Sequence, residues 1–180
     1  MREAKLPRAA RGPNPTHIYT LQETLALLRL PLSLEVRAAL ATAAVAGLRE
    51  SQLTGLEWTD YRDGLRHVQR SIDRVSKLAH ATKTQSSAQP VPCIPQLRTV
   101  LDAYKGSLLL AEGRIFNLGD LDKVALRIVK PAAKVAGIRW SGWHGFRRGL
   151  ATTLHDLGID LLVIQQILRH GDPDVTQLVT

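Results

Sequence analysis

The chain has 180 residues, 44% of them hydrophobic, and a formal net charge of +8. That composition predicts one compact domain and excludes a disordered chain, because disorder combines low hydrophobicity with high charge. No apolar run approaches the roughly 20 residues of a membrane-spanning helix, and the basic N-terminus lacks the apolar segment of a secretory signal. The single cysteine, Cys93, excludes an internal disulfide, and we expect a buried thiol in an intracellular protein. The positive charge favours nucleic acid over an acidic membrane as a partner, although it also suits solubility alone.

Residues 1–16 are rich in Pro, Gly, Arg and Lys. We interpret them as a basic flexible arm or linker that contacts phosphates, or as the remnant of a domain boundary. A capping box at Thr20 then predicts the start of the first helix. Its spacing predicts an inward face made of Leu21, Leu25 and Leu28.

A second helix is predicted to begin at Ser33, whose hydroxyl can cap its first turn. Val36 and Leu40 are placed on its inward face. Gly47 is suited to ending this helix in a left-handed turn, and a short helix at 51–54 follows.

The segment from 56 to 94 differs in character, and we expect a small antiparallel sheet there. Asp63-Gly64 is typical of a hairpin turn, and the mixture of Arg with β-branched residues predicts a strand from Leu65 to about Val75. A second strand near 88–94 contains two prolines, which indicates an edge position. Lys83 is placed in the turn between these strands.

Helical patterns return after the sheet. Asp120 can cap a helix that includes Ile128 on its inward face and that we expect to kink at Pro131. Two further helices are predicted at 145–157 and 160–169. The predicted fold class is therefore α+β and mainly α-helical.

The helix near residue 145 carries a cationic group at its start. His144, Arg147 and Arg148 share one face because residues three and four apart lie together on a helix. A helix start with such cations is suited to a phosphate, although a surface Arg pair beside a capping His explains the same pattern. An apolar stripe occupies another face, at Phe146, Leu150, Leu154 and Leu157. Since Arg147 is placed away from this stripe, its removal is predicted to leave the fold unaltered.

Four short motifs occur along the chain in a fixed order. They are Ala46-Gly47-Leu48-Arg49 with Leu53, Leu56 and Trp58 behind it, Thr82-Lys83-Thr84-Gln85-Ser86-Ser87, the pair His144 and Arg147, and Leu168-Arg169-His170-Gly171. Each is weak alone. Together, over residues 17–180, they resemble the catalytic domain of the tyrosine recombinases, also called phage integrases, and imply an integrase-like catalytic fold.

The resemblance implies cleavage and rejoining of DNA strands through a covalent 3′-phosphotyrosine. Arg49 and Arg147 would neutralise the charge that grows on the phosphate oxygens, since a guanidinium offers a planar, permanently charged fork of donors. Lys83 would be the general acid for the leaving 5′ oxygen, and His144 an acid or base beside the nucleophile. His170 would donate a hydrogen bond to the phosphate. No metal, nucleotide or other cofactor is implied, because the covalent intermediate holds the bond energy.

The sequence departs from the family at two places. The first is Gln52, which stands where relatives have an acidic residue and predicts a looser site. Lys77 is a separate matter, since it competes with Lys83 for the role of the turn lysine. The second departure is the nucleophile. The nucleophilic tyrosine is expected about nine residues after the last His, where Val179 stands. We expect the domain to be cut short at its C-terminus, just inside a helix that Asp172 begins; loss of the tyrosine is the alternative. The tyrosines present lie in unrelated segments, at Tyr19, Tyr61 and Tyr104.

The sequence alone is compatible with three functions. The first is a site-specific recombinase that binds double-stranded DNA and self-associates on it. We expect such a protein to be of bacterial or phage origin and to be cytoplasmic. Whether the chain is itself an enzyme is left open by the missing nucleophile. The second is a non-catalytic DNA-binding relic or regulator of the same fold. The third, more distant, is a basic helical adaptor for RNA or protein.

Overall fold

The computed structural model describes residues 17–62, 65–67, 70–72, 79–81 and 90–169, with the backbone alone for strand residues from 62 to 92. The predicted arm at 1–16, Lys77, Lys83, and everything from His170 to Thr180 therefore lie outside the described residues. Across the described part the chain is mainly helical, as predicted. No helix in those ranges is long and apolar enough to cross a bilayer.

The elements follow one another from a helical half, through short strands, to a second helical half. The helices are α1 (Leu21–Leu28), α2 (Leu34–Ala46), α3 (Glu50–Thr54), α4 (Pro95–Gly106), α5 (Leu121–Val124), α6 (Lys130–Val135), α7 (Trp143–Asp156) and α8 (Leu161–Leu168). The strands are β1 (Tyr61–Arg62), β2 (Leu65–His67), β3 (Arg70–Ile72), β4 (Ala79–Ala81) and β5 (Pro90–Pro92).

Helix α2 lies at the centre of the domain, packed against α1, α4 and α7. The hydroxyl of Ser33 accepts the amide of Val36 at 3.4 Å, which confirms the predicted cap. Most of the helix is buried, and its many alanines let neighbouring helices approach closely. Gly47 ends it with φ +56°, the left-handed conformation predicted from the sequence.

Helix α1 is short, and its inward face differs from the prediction. Its capping box is confirmed, since the Thr20 hydroxyl accepts the Glu23 amide at 3.1 Å. Leu21 and Leu25 are 56% and 42% exposed, so they do not face inward, whereas Leu27 is buried. Because α1 has only two turns, one narrow face of it contacts the domain. Its packing against α2 and α7 determines which residues lie on that face.

The strands pair antiparallel in two groups. One sheet has the order β1-β2-β5, with Arg62 opposite Leu65 across the Asp63-Gly64 step, and the other pairs β3 with β4. The described residues of the strand predicted from Leu65 to about Val75 fall in two sheets, in β2 and in β3, and the rest of that prediction lies outside the described residues. The proline-bearing strand β5 lies at a sheet edge, where a missing amide costs no ladder bond. Cys93 follows it and is half-buried against the core instead of fully buried.

The segment from α5 to α6 contains a π-helical turn that the sequence did not predict. Asp120 caps α5 as expected, but residues Ala125–Val129 form the π turn, in which the Lys130 amide bonds to the Ala125 carbonyl. The irregularity therefore precedes Pro131 instead of lying at it. The extra residue rotates the helix surface, which leaves Ile128 44% exposed and buries Val129.

Helices α7 and α8 pack together and onto the rest of the domain through α2. Leu150 and Leu154 lie in their shared apolar cluster, as the predicted stripe requires. Leu157 does not, because it follows the last residue of α7 and is 71% exposed.

Candidate phosphate-binding site

The first predicted site residue, Arg49, stands in the short link between α2 and α3. After the left-handed turn at Gly47, Leu48 is buried and Arg49 becomes the residue preceding α3. Its backbone amide donates to the side-chain oxygen of Gln52 at 3.1 Å. The Arg49 side chain is half-buried, and this burial lowers the pKa of its guanidinium.

Gln52, which the sequence associates with a looser site, makes a hydrogen bond within the link. Its side chain is buried and its carbonyl oxygen satisfies the otherwise unpaired amide at the start of α3. A neutral amide therefore braces the backbone at Arg49 without placing a carboxylate beside the guanidinium.

Tyr19 fixes the start of α7, which carries the next two site residues. The Tyr19 ring is buried against Phe146 with ring centroids 4.7 Å apart, and its hydroxyl accepts the Ser141 amide at 2.6 Å. The close approach needs glycine on α7: a Cβ added at Gly145 would lie 2.6 Å from the ring, and one at Gly149 would lie 2.4 Å from the Tyr19 carbonyl oxygen. The N-terminal segment thus sets the position of α7.

Arg147 is buried, with only 5% of its surface exposed, although the sequence placed it on an open polar face. Its guanidinium donates to the carbonyl of Gly47 and, at 2.6 Å, to the carbonyl of Leu168. The face beside the apolar stripe is covered because α7 lies between the ends of α2 and α8. This burial and these two hydrogen bonds lead us to expect that removing Arg147 has a structural cost, contrary to the prediction from the sequence.

The cations in this region act strongly on one another. Desolvation, followed by the positive charges of Arg49 and Arg169, lowers the pKa of Arg147 from 12.5 to about 9. Desolvation, followed by the charges of Arg148, Arg147 and Arg49, lowers the pKa of His144. His144 lies at the start of α7 and its residue surface is exposed, while the lowered pKa of its imidazole favours the neutral form.

Three of the five predicted site residues are thus brought together: Arg49, His144 and Arg147. The other two, Lys83 and His170, lie outside the described residues, and their roles remain predictions. Within the described part, no group of three His, Cys, Asp or Glu side chains could hold a metal ion.

Arg169 is a member of this cation cluster that sequence reasoning did not single out. It is 2% exposed, and one guanidinium nitrogen lies 3.5 Å from the Ala46 carbonyl oxygen. It also has φ +57°, in a region that residues with a side chain seldom adopt. The only sequence signal was its place beside His170 in the last motif.

The three tyrosines sit in structural positions. Tyr19 is in the core, Tyr104 stacks on Phe116 with ring centroids 6.2 Å apart, and the Tyr61 hydroxyl bonds to Asp102 at 3.0 Å. Burial is the largest cause that raises the pKa of each hydroxyl to about 12. A raised pKa disfavours the phenolate, which makes each a poor nucleophile.

Solved structures share this architecture. The chain superposes on the Tn1549 transposon integrase in complex with circular intermediate DNA with a TM-score of 0.74 and 16% identity, over 93% of this chain and 63% of that one. It superposes on the catalytic domain of bacteriophage HP1 integrase with a TM-score of 0.60 and 20% identity, over 90% and 85% of the two chains. The fold is therefore that of an integrase catalytic domain.

Sequence comparison identifies the family. No protein-family model matches the chain. Tyrosine recombinase XerC of Mycobacterium leprae (strain TN) is 31% identical over 157 residues, which cover 83% of this chain and 50% of that protein. The chain spans about half the length of the curated relatives it matches. It belongs to the tyrosine recombinases, and the part described here is their catalytic domain.

Proposed function

We propose that this domain binds double-stranded DNA and supplies the phosphate-holding part of a site-specific recombinase. The observation that carries the proposal is the convergence of Arg49, His144 and Arg147 where the ends of α2 and α8 meet the start of α7. Neighbouring positive charges, after desolvation, lower the pKa of His144 and of Arg147, so an anion that enters the cluster relieves this repulsion. A DNA phosphodiester is such an anion, with one negative charge.

The chemistry proposed is strand cleavage and rejoining through a 3′-phosphotyrosine. The tyrosine oxygen attacks phosphorus, the bond to the 5′ oxygen breaks, and the 5′ oxygen takes up a proton. Arg49 and Arg147 stabilise the phosphate oxygens as charge grows on them. His144, whose pKa is lowered by desolvation and by its cationic neighbours, accepts the proton of the attacking hydroxyl.

The remaining roles rest on the sequence motifs. Lys83 protonates the leaving 5′ oxygen from the small antiparallel sheet, and His170 donates a hydrogen bond to the phosphate. Lys83 falls between β4 and β5 in the chain, outside the described residues. Self-association on DNA is part of the same proposal.

The nucleophile separates two versions of this function. None of Tyr19, Tyr61 and Tyr104 is placed to attack a phosphate held by the cluster, and Val179 occupies the expected spacing. A tyrosine encoded after Thr180 makes the domain part of an active recombinase. If Val179 truly replaces the tyrosine, the domain is a non-catalytic DNA-binding regulator.

DNA binding is tested by titrating the chain with a fluorescent duplex of arbitrary sequence at several salt concentrations. We expect affinity to fall steeply with salt, because bound phosphates release counterions. Arg49→Gln should weaken binding and reduce the logarithmic salt slope by about 1. The control is Arg29→Gln, which removes an equal charge from an exposed position outside the cluster. Equal effects of the two substitutions would refute the proposed site.

Catalysis is tested with the chain extended beyond Thr180 to include the next encoded tyrosine. The extended protein is mixed with nicked duplex DNA, and covalent complexes are separated on a denaturing gel. We expect an adduct that disappears in Arg49→Gln. If the gene encodes no tyrosine close after Thr180, or no adduct forms, the regulator is the surviving alternative.

A further inference from the structure

Two buried arginines join the C-terminal ends of two helices. Arg147 donates to the Gly47 and Leu168 carbonyls, and Arg169 lies 3.5 Å from the Ala46 carbonyl oxygen. The acceptors are the last carbonyls of α2 and α8, which have no partner within their own helices. Neither helix carries a basic residue in its own last turn.

This arrangement explains how like charges are tolerated in a buried place. The C-terminal end of a helix carries a partial negative charge, so a cation beside it is stabilised. Two such ends meet here, and the cations between them come from α7 and from the residue that follows α8. The 3.5 Å contact of Arg169 is long for a hydrogen bond, so its interaction with this carbonyl is mainly the attraction of a cation to the helix end.

The backbone at this junction is closely fitted. Leu168 is fully buried, and its methyl carbon lies 2.7 Å from where a Cβ on Gly47 would stand. Arg169 keeps φ +57° although glycine adopts that conformation more readily. Backbone hydrogen bonds support this conformation, since the Arg169 amide donates to the Gln165 and Gln166 carbonyls at the end of α8.

We propose that Arg169 is a positioning residue that holds the end of α8 against the end of α2. It thereby keeps the end of α8 close to the link that carries Arg49, two residues beyond the turn at Gly47. The inference rests on the proposed function, since it assigns Arg169 to the phosphate site. The charge of the Arg169 side chain, and not its volume, is what holds the two helix ends together.

The test compares Arg169→Lys, which keeps the charge, with Arg169→Met, which keeps an unbranched stem of similar length without it. Amide hydrogen exchange is measured by mass spectrometry for α8, with α4 as an internal reference away from the junction. We expect Arg169→Met to speed exchange of α8 by about tenfold and Arg169→Lys by less than about threefold. Exchange of α4 should stay unchanged in both, which shows that the domain remains folded.

Duplex DNA affinity is measured on the same proteins. We expect Arg169→Met to lower the DNA affinity by about fivefold and Arg169→Lys to keep most of the native affinity. Equal exchange of α8 in the two variants overturns the inference, because packing alone treats them alike. Faster exchange of α8 in Arg169→Met with unchanged DNA affinity also overturns it, since α8 is then loosened without consequence for the site. A native chain that binds no DNA refutes the proposed function instead, and the exchange of α8 alone then decides whether Arg169 holds the junction.

Discussion

Replacing Arg147 with alanine tests whether this side chain is structural as well as functional. The substitution removes the only described hydrogen-bond donors to the Gly47 and Leu168 carbonyls that come from α7. It leaves two carbonyl groups buried at the ends of α2 and α8. We therefore expect a loss of stability, in contrast to what the sequence alone predicted.

The size of the loss follows from opposing contributions. A hydrogen bond from a charged donor contributes about 1.5–3 kcal/mol, and Arg147 makes two to backbone carbonyls. Desolvation and repulsion from Arg49 and Arg169 offset part of this, as the lowered pKa of Arg147 shows. We expect a net loss of about 2–4 kcal/mol in the free energy of unfolding. For a domain of this size that lowers the melting temperature by about 5–15 °C.

The assay is urea unfolding followed by circular dichroism, with Arg148→Ala as the matched control. Arg148 is the next residue on the same helix and is half-buried beside His144. Its removal should change the free energy of unfolding by less than about 1 kcal/mol. If Arg147→Ala costs no more than Arg148→Ala, the two carbonyl contacts do not hold the junction and the reasoning fails.

Two further predictions concern α7. The His144 pKa, followed by the NMR shifts of its ring protons against pH, should lie below the ordinary 6.5 and rise in Arg148→Ala, because a neighbouring positive charge disfavours protonation. Since the folded-state pKa is the lower one, stability should fall as pH drops through the unfolded value near 6.5; an unshifted pKa contradicts the cation cluster. Gly149→Ala should destabilise the domain by about 1–3 kcal/mol, because its Cβ would lie 2.4 Å from the Tyr19 carbonyl oxygen. Gly106→Ala, where nothing lies within 4 Å, should be neutral or stabilising, and equal effects at the two glycines would contradict the close packing.

The sequence predicted best what local chemistry decides. The caps at Thr20, Ser33 and Asp120 form as expected because each side chain bonds to amides two or three residues away. The left-handed turn at Gly47 is similarly local. Helical spacing placed His144 and Arg147 on one face, and the family resemblance added Arg49 and the catalytic roles, which no periodicity in the chain could have identified.

What the sequence could not predict depends on residues distant in the chain. Arg147 is buried because the end of α8, 21 residues later, covers it. Arg169 contacts a carbonyl 123 residues earlier, and no local pattern signals such a contact. Ile128 was placed inward by a regular helical period, which the π turn interrupts.

The tight fit of Leu168 over Gly47 couples opening of the turn at Gly47 to fraying of the end of α8. The turn that delivers Arg49 and the last residue of α8 are in van der Waals contact, so neither end opens without disturbing its neighbour. By thermodynamic reciprocity, an anion bound beside one end must lower the equilibrium constant for fraying of the other by the same factor by which docking of α8 raises the affinity for the anion.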